Sequence, residues 1–261
     1  MRQVPQETPH GRTPPPCSFL IVGNGRVARH FLHYFQALSI PTTHWPHARQ
    51  ITPAIIPLLT NTTHVWVLVS DQAISEITST LRTYASGLAA TEIHFLHASG
   101  AFHHPEIHTI HPLCTFGTEL YDCETYQKFY FTTSTALDSP VLLPLLSALP
   151  NSFQFLKPEN LPTYHAYCVM AANFPQILWS QLQSQFQNLS LQPDSLLPLI
   201  EHASENWLKH QAKALTGPLV RNDQQTIARN KEGLGQSPEL LSLYYAFEHL
   251  YSYSSKQKRA L

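Results

Sequence analysis

The residues with the clearest chemical character form a glycine corner near the start of the chain. Ser18-Phe19-Leu20-Ile21-Val22 is a short apolar run that leads straight into Gly23-Asn24-Gly25-Arg26-Val27-Ala28, and then into a helical stretch from Arg29 to Phe35. A turn of this order lets backbone N–H groups at a helix N-terminus approach a diphosphate with no Cβ in the way, and a third small residue lets helix and strand pack closely. Gly23 and Gly25 take the phosphate side in this reading, Asn24, Arg26 and Val27 complete the corner, and Ala28 takes the packing side. The chain has only 9 glycines, so two of them behind an apolar strand favour a dinucleotide corner over an ordinary tight turn.

A missing charge distinguishes the nicotinamide cofactors. A site for NAD usually offers Asp or Glu about 20 residues after the corner to hold the ribose 2′-OH, whereas a 2′-phosphate calls for Arg. Between Thr8 and Ser70 there is no acidic residue, and the charges are those of Arg12, Arg26, Arg29 and Arg49. Arg49 is the best candidate for a 2′-phosphate clamp, with Arg26 or His47 as helpers. NADP is therefore favoured and NAD less so; the alternative for Arg49 is a solvated loop arginine.

Further polar groups fall where later strands should end. Val69-Ser70-Asp71 closes one candidate strand, with Asp71 either capping the next helix or lying near the cofactor's ribose or nicotinamide. His97-Ala98-Ser99-Gly100 closes another, and His111-Pro112 follows a short loop later. Ser99 supplies a hydroxyl, while His97 and His111 are candidates to line a substrate site. In the second half, His165 and Asn173 stand on one helical stretch and border one groove. Arg221, just before a helix capped by Asn222 or Asp223, reaches either a substrate carboxylate or a subunit interface. Histidines crowd between His94 and His111, but Pro105 interrupts the His104/His108 pairing and no cysteine or acidic cluster completes a ligand set, so no metal is expected.

The elements that must position these groups change character near residue 157. Residues 17–157 alternate short β-branched or aromatic runs (19–22, 65–69, 93–97, 129–132, 153–156, with a weaker one near 42–45) with helical stretches, the pattern of βαβ units and a mostly parallel sheet. Residues 158–261 hold helical periodicity at Tyr164–Phe186, Asp194–Leu215, Asp223–Leu234 and Pro238–Tyr253, with a kink or break expected at Pro175. Residues 1–16 are rich in proline and read as a flexible tail. The fold expected is α/β, a parallel sheet followed by an all-helical domain.

Composition narrows the function classes. The 261 residues are 43% hydrophobic and carry a net charge of -1, so no overall basic field exists to hold a nucleic acid. No apolar run reaches the roughly 18 residues of a membrane span. The four cysteines, Cys17, Cys114, Cys123 and Cys168, lack the spacing of a zinc ribbon or a disulfide framework, and free thiols in the cytoplasm are expected.

Taken together, GNGRVA after a strand, VSDQAI, HASGAF, IHPLCTF, YHAYCVMAANF and LTGPLVRND resemble the Rossmann-like proteins with a C-terminal helical domain of unknown function. These are similar in build to pyrroline-5-carboxylate reductase, ketopantoate reductase and 6-phosphogluconate dehydrogenase. The resemblance spans about residues 18 to 255. It implies an NADP-binding domain, a helical domain that mediates homodimerisation, and a cleft between them as active site. In better-studied relatives a Lys often stands where His165 stands, with an Asn further along the same helix, as Asn173 is. The expected activity is reduction of a C=O or C=N bond in a small substrate, with His165 as acid and Asn173 and Ser99 as hydrogen-bonding groups; the alternative is a non-catalytic NADP-binding sensor or scaffold.

Overall fold

The computed structural model describes residues 17–88 and 92–259. The stretch 1–16, expected to be a tail, lies outside the described residues. In chain order the elements are β1 (Phe19–Val22), α1 (Arg26–Ala37), β2 (Thr42–Trp45), α2 (Ile56–Thr60), β3 (His64–Val67), α3 (Asp71–Ala85), β4 (His94–His97), β5 (His108–Pro112), α4 (Cys123–Gln127), β6 (Tyr130–Thr133), α5 (Leu142–Ala148) and β7 (Ser152–Phe155). After these come α6 (Leu161–Asn188), α7 (Leu197–His210), α8 (Pro218–Arg221), α9 (Gln224–Gly233) and α10 (Pro238–Arg259).

The strands form one seven-stranded sheet in the order β2-β1-β3-β4-β5-β6-β7. β1 through β5 run parallel, β6 is antiparallel to β5, and β7 is parallel to β6. β1 and β3 are buried along their whole length, as expected of strands covered on both faces. Alternate residues serve the two sides. Phe19 and Ile21 pack with Phe31 and Phe35 of α1 and with Trp66, while Leu20 and Val22 pack with Ile55, Leu59 and the α3 residues Ile74, Ile77 and Leu81.

Three expectations need correction. β5 occupies a stretch read as loop; its sequence, His-Thr-Ile-His-Pro, has little strand character by itself and is held by pairing with β4 and β6. Pro175 does not break α6, which continues through it. Its missing N–H leaves a gap in the ladder, beside which the Gln176 side chain donates to the Ala172 carbonyl at 2.8 Å. The Asp194–Leu215 stretch is not one α-helix, since Gln211, with φ +50°, ends α7.

After Phe155 every regular element among the described residues is helical. Contacts nevertheless separate the chain into a unit that ends at Ile177 and another that begins at Leu178, a division inside α6.

Buried imidazoles are an unusual part of the first unit's interior. His64 is engaged through Nδ1 with Thr63 Oγ1 at 2.8 Å and through Nε2 with the Val141 carbonyl at 3.0 Å. Burial pushes His64 down to about 4, His97 to about 3 and His111 to about 4. The unfolded chain protonates such groups near 6.5, so below that pH the unfolded state binds more protons than the folded one. Stability is complete above about 6.5 and is expected to fall steadily toward pH 4. Urea midpoints that stay constant between about pH 7.5 and 5 would contradict this.

Candidate functional site

The strand order reverses at β1, with β2 on one side and β3 on the other, the arrangement that opens a crevice at the carboxyl ends of the strands. A cavity of about 470 Å³ lies there, lined by Gly23 to Val27, Arg49, Ser70, Asp71 and Ser99. Ala28 is fully buried beneath it.

The two glycines differ in what requires them. Gly23 has φ +131°, and a Cβ on it would stand 2.2 Å from the Leu68 carbonyl oxygen. Its own N–H donates to the Trp45 carbonyl at 3.0 Å, and its carbonyl is 2.7 Å from His44 Nε2. Gly25, the residue before α1, has nothing within 4 Å of a would-be Cβ; it faces the open crevice. Gly23 is thus demanded by the protein's own packing, and Gly25 keeps clear the space over a helix N-terminus, where an anion is favoured. The corner and the α1 N-terminus fit a dinucleotide's diphosphate. Arg26 stands beside it, with its guanidinium 3.5 Å from the Phe116 carbonyl.

Arg49, beyond β2, and Ser99, beyond β4, lie at opposite ends of this crevice, with the glycine corner between them. Asp71 is not the helix cap: Ser70 holds that position without a side-chain bond, and Asp71 is the first residue of α3. Its carboxylate accepts instead from Ser99 Oγ at 2.7 Å. Ser99 Oγ in turn accepts from the Phe102 N–H at 3.1 Å, which fixes the loop after β4.

His97 lies underneath this loop, fully buried. Its Nδ1 accepts from the Ser99 N–H at 3.2 Å and its Nε2 is 3.2 Å from Thr109 Oγ1. With the ring neutral, that second bond is a donation from Nε2–H. Both nitrogens are spent inside the protein, so this imidazole shapes the loop from below.

His111 and His165 meet at Gly100, with ring centroids 6.1 Å apart. A Cβ on Gly100 would stand 2.7 Å from His165 Cδ2 and 2.9 Å from His111 Nε2. Tyr164 joins them, its Oη 2.8 Å from His111 Nδ1. Tyr164 escaped the sequence reading because tyrosine beside histidine on an apolar helix looks like packing; only the approach of α6 to β5 gives it a polar partner. Asn173 is exposed further along α6. Arg221 is exposed at the end of α8, in the other unit, and Asp223 caps α9 by accepting from the Thr226 N–H at 3.0 Å. Among the described residues no group of three or more His, Cys, Asp and Glu is placed to hold a metal.

Residues 129–249 match the family model of a domain of unknown function, DUF2520. No curated protein matches the sequence. Solved structures match over nearly the whole chain. A Bacteroides fragilis protein described as a putative NADP oxidoreductase is 18% identical at TM-score 0.65, covering 90% of this chain and 97% of its own. A Thermotoga maritima protein is 19% identical at TM-score 0.64, covering 92% and 99%. The Plasmodium falciparum pyrroline carboxylate reductase, solved with NADP bound, is 9% identical at TM-score 0.53, covering 90% and 99%. Likeness at these identities shows the fold alone: a Rossmann-type sheet followed by a helical region.

Gly100→Ala is expected to leave the fold intact, since the backbone there needs no left-handed conformation and the obstructing atoms are ring edges. It should displace both imidazoles. Chemical-shift changes at His111 and His165 with an unaltered urea midpoint are expected; unmoved imidazole signals would contradict the packing described.

Proposed function

We propose that the protein is an NADP-dependent oxidoreductase that reduces a C=O or C=N bond of a small substrate. The observation that carries this reading is the glycine corner opening on a crevice that has Arg49, and no carboxylate, at its β2 end. A diphosphate would rest on the α1 N-terminus, a 2′-phosphate would meet Arg49, and the far end of the dinucleotide would lie toward Asp71 and Ser99. Bound there, the reduced cofactor supplies a hydride.

The chain's own residues would supply orientation and a proton. His165 is the acid, its ring standing beside His111 at Gly100. Ser99, held by Asp71, and Asn173 offer hydrogen bonds to the substrate. In this reading residues 17–157 form the cofactor domain and 158–261 the substrate and dimerisation domain.

The helical unit exposes large apolar side chains, among them Leu199, Trp207, Leu208 and Phe247. Large exposed apolar side chains in such number support an interface, and a second copy of the chain is its proposed occupant; sedimentation showing a dimer is the expected result. No helix among the described residues is long and apolar enough to cross a membrane, and all four cysteines are free, which supports a reducing compartment such as the cytoplasm.

Calorimetry tests the cofactor. Arg49→Ala is expected to weaken NADP binding by about tenfold or more, the scale of one charged hydrogen bond, with NAD binding unchanged; equal loss of both would remove the clamp. Loss of NADPH absorbance against keto acids and cyclic imines tests catalysis. His165→Gln should lower turnover on the order of 10²-fold at constant NADPH affinity. Tight NADPH binding with no turnover across the panel would instead favour a sensor.

A further inference from the structure

Gly23 is held at three points. Its α-carbon has no room for a methyl group against the Leu68 carbonyl, its N–H donates to the Trp45 carbonyl at 3.0 Å, and its own carbonyl lies 2.7 Å from His44 Nε2. The first two holds come from backbone atoms. The third comes from one imidazole on β2, the edge strand of the sheet. In the register of the two strands Ile21 stands beside His44 and Val22 beside Trp45, so β2 follows β1 to its last residue and the His44 ring reaches past it to the corner.

The acceptor fixes the direction of this bond. A backbone carbonyl only accepts, so His44 carries a hydrogen on Nε2 and donates it. A trans peptide unit is planar, with its C=O and N–H on opposite sides. The Asn24 N–H, which shares a peptide with the Gly23 carbonyl, therefore points away from His44. Asn24 is exposed and lines the crevice, and among the described residues no protein group accepts from its N–H. Glycine does not secure that orientation by itself. With no Cβ, Gly23 at φ +131° can turn about ψ at little steric cost, and a peptide turned over would offer the crevice a carbonyl oxygen instead of an N–H.

We propose that His44 is a positioning residue that holds the Gly23–Asn24 peptide with its N–H toward the crevice, and that this hold serves the diphosphate of the dinucleotide and not the adenosine 2′-phosphate. The inference rests on the cofactor reading above. The diphosphate is common to NADP and NAD, and its negative charge is drawn to N–H groups and repelled by a carbonyl oxygen. Arg49 would meet the one phosphate that distinguishes the two cofactors, while His44 prepares the seat for the part they share. His44 follows Gly23 by 21 residues, close to the spacing of about 20 at which NAD sites place a carboxylate for the ribose. A carboxylate there would have no proton to give the Gly23 carbonyl.

Calorimetry with NADP, NAD and 2′-AMP, which has the 2′-phosphate and no diphosphate, separates the two roles. His44→Ala is expected to weaken NADP and NAD by the same factor, about tenfold, the scale of one hydrogen bond, and to leave 2′-AMP affinity unchanged. Arg49→Ala should weaken NADP and 2′-AMP and spare NAD. His44→Gln keeps an amide NH₂ that can donate to the same carbonyl, so it should recover most of the dinucleotide affinity, a recovery that general damage to the β2 edge would not show. Long-range ¹H–¹⁵N spectra of imidazole-labelled protein near pH 8, without nucleotide, should show His44 with its hydrogen on Nε2, the signal being assigned by its absence from His44→Gln. An Nδ1–H form of His44, dinucleotide affinities indifferent to His44→Ala, or a matching loss of 2′-AMP overturns the positioning role. If the wild type binds neither NADP nor NAD, the cofactor reading itself fails and this inference falls with it.

Discussion

Between β1 and β3 the backbone comes so close at one point that a single methyl group would not fit. The Leu68 carbonyl faces Gly23 there, and the rest of the crevice follows from that contact. Because Gly23 adopts a left-handed φ and Leu68 N–H remains bonded to Val22 at 2.8 Å, the chain can leave β1 and enter α1 without separating the two strands. The helix N-terminus is thereby brought over the point where the strand order reverses, and its free N–H groups face the crevice. Gly25 then needs no protein neighbour; its bareness leaves room for something else.

Along β3, β4 and β5 the interior relies on neutral imidazoles. A buried polar group costs free energy unless it is hydrogen-bonded, and each of these rings meets that condition differently. His64 is satisfied at both nitrogens, and so is His97. His111 is satisfied at one only, with its second nitrogen beside Gly100 and His165. The same residue type thus serves as interior scaffold in two places and as a half-buried ring with one unbonded nitrogen in a third, and the difference lies in how many partners the surrounding elements provide.

Much of the fold was legible because hydrophobic periodicity is a local property. β1, β2 and the glycine corner appear where the sequence places them, and the change to helical structure after Phe155 follows the change in spacing. β5 was not legible, since its strand state comes from neighbours on both sides and only Thr109 and Ile110 among its five residues favour it. Pro175 was read as a kink or a break because the lost N–H is a local fact, whereas the continuity of α6 is decided by everything around it.

By itself the sequence determined the chemistry of the corner and the charge around it: glycines where a diphosphate fits, arginine without carboxylate, and histidine and serine in reserve. Side-chain type and short-range spacing are written in the chain. Only the tertiary structure decided which of those reserves meet. His111 of β5 and His165 of α6 come from distant parts of the chain and meet at Gly100, beyond β4. Asp71, in the first turn of α3, holds Ser99 for the same reason: a hydrogen bond between residues distant in sequence depends on where the sheet sets their backbones, which no local pattern encodes.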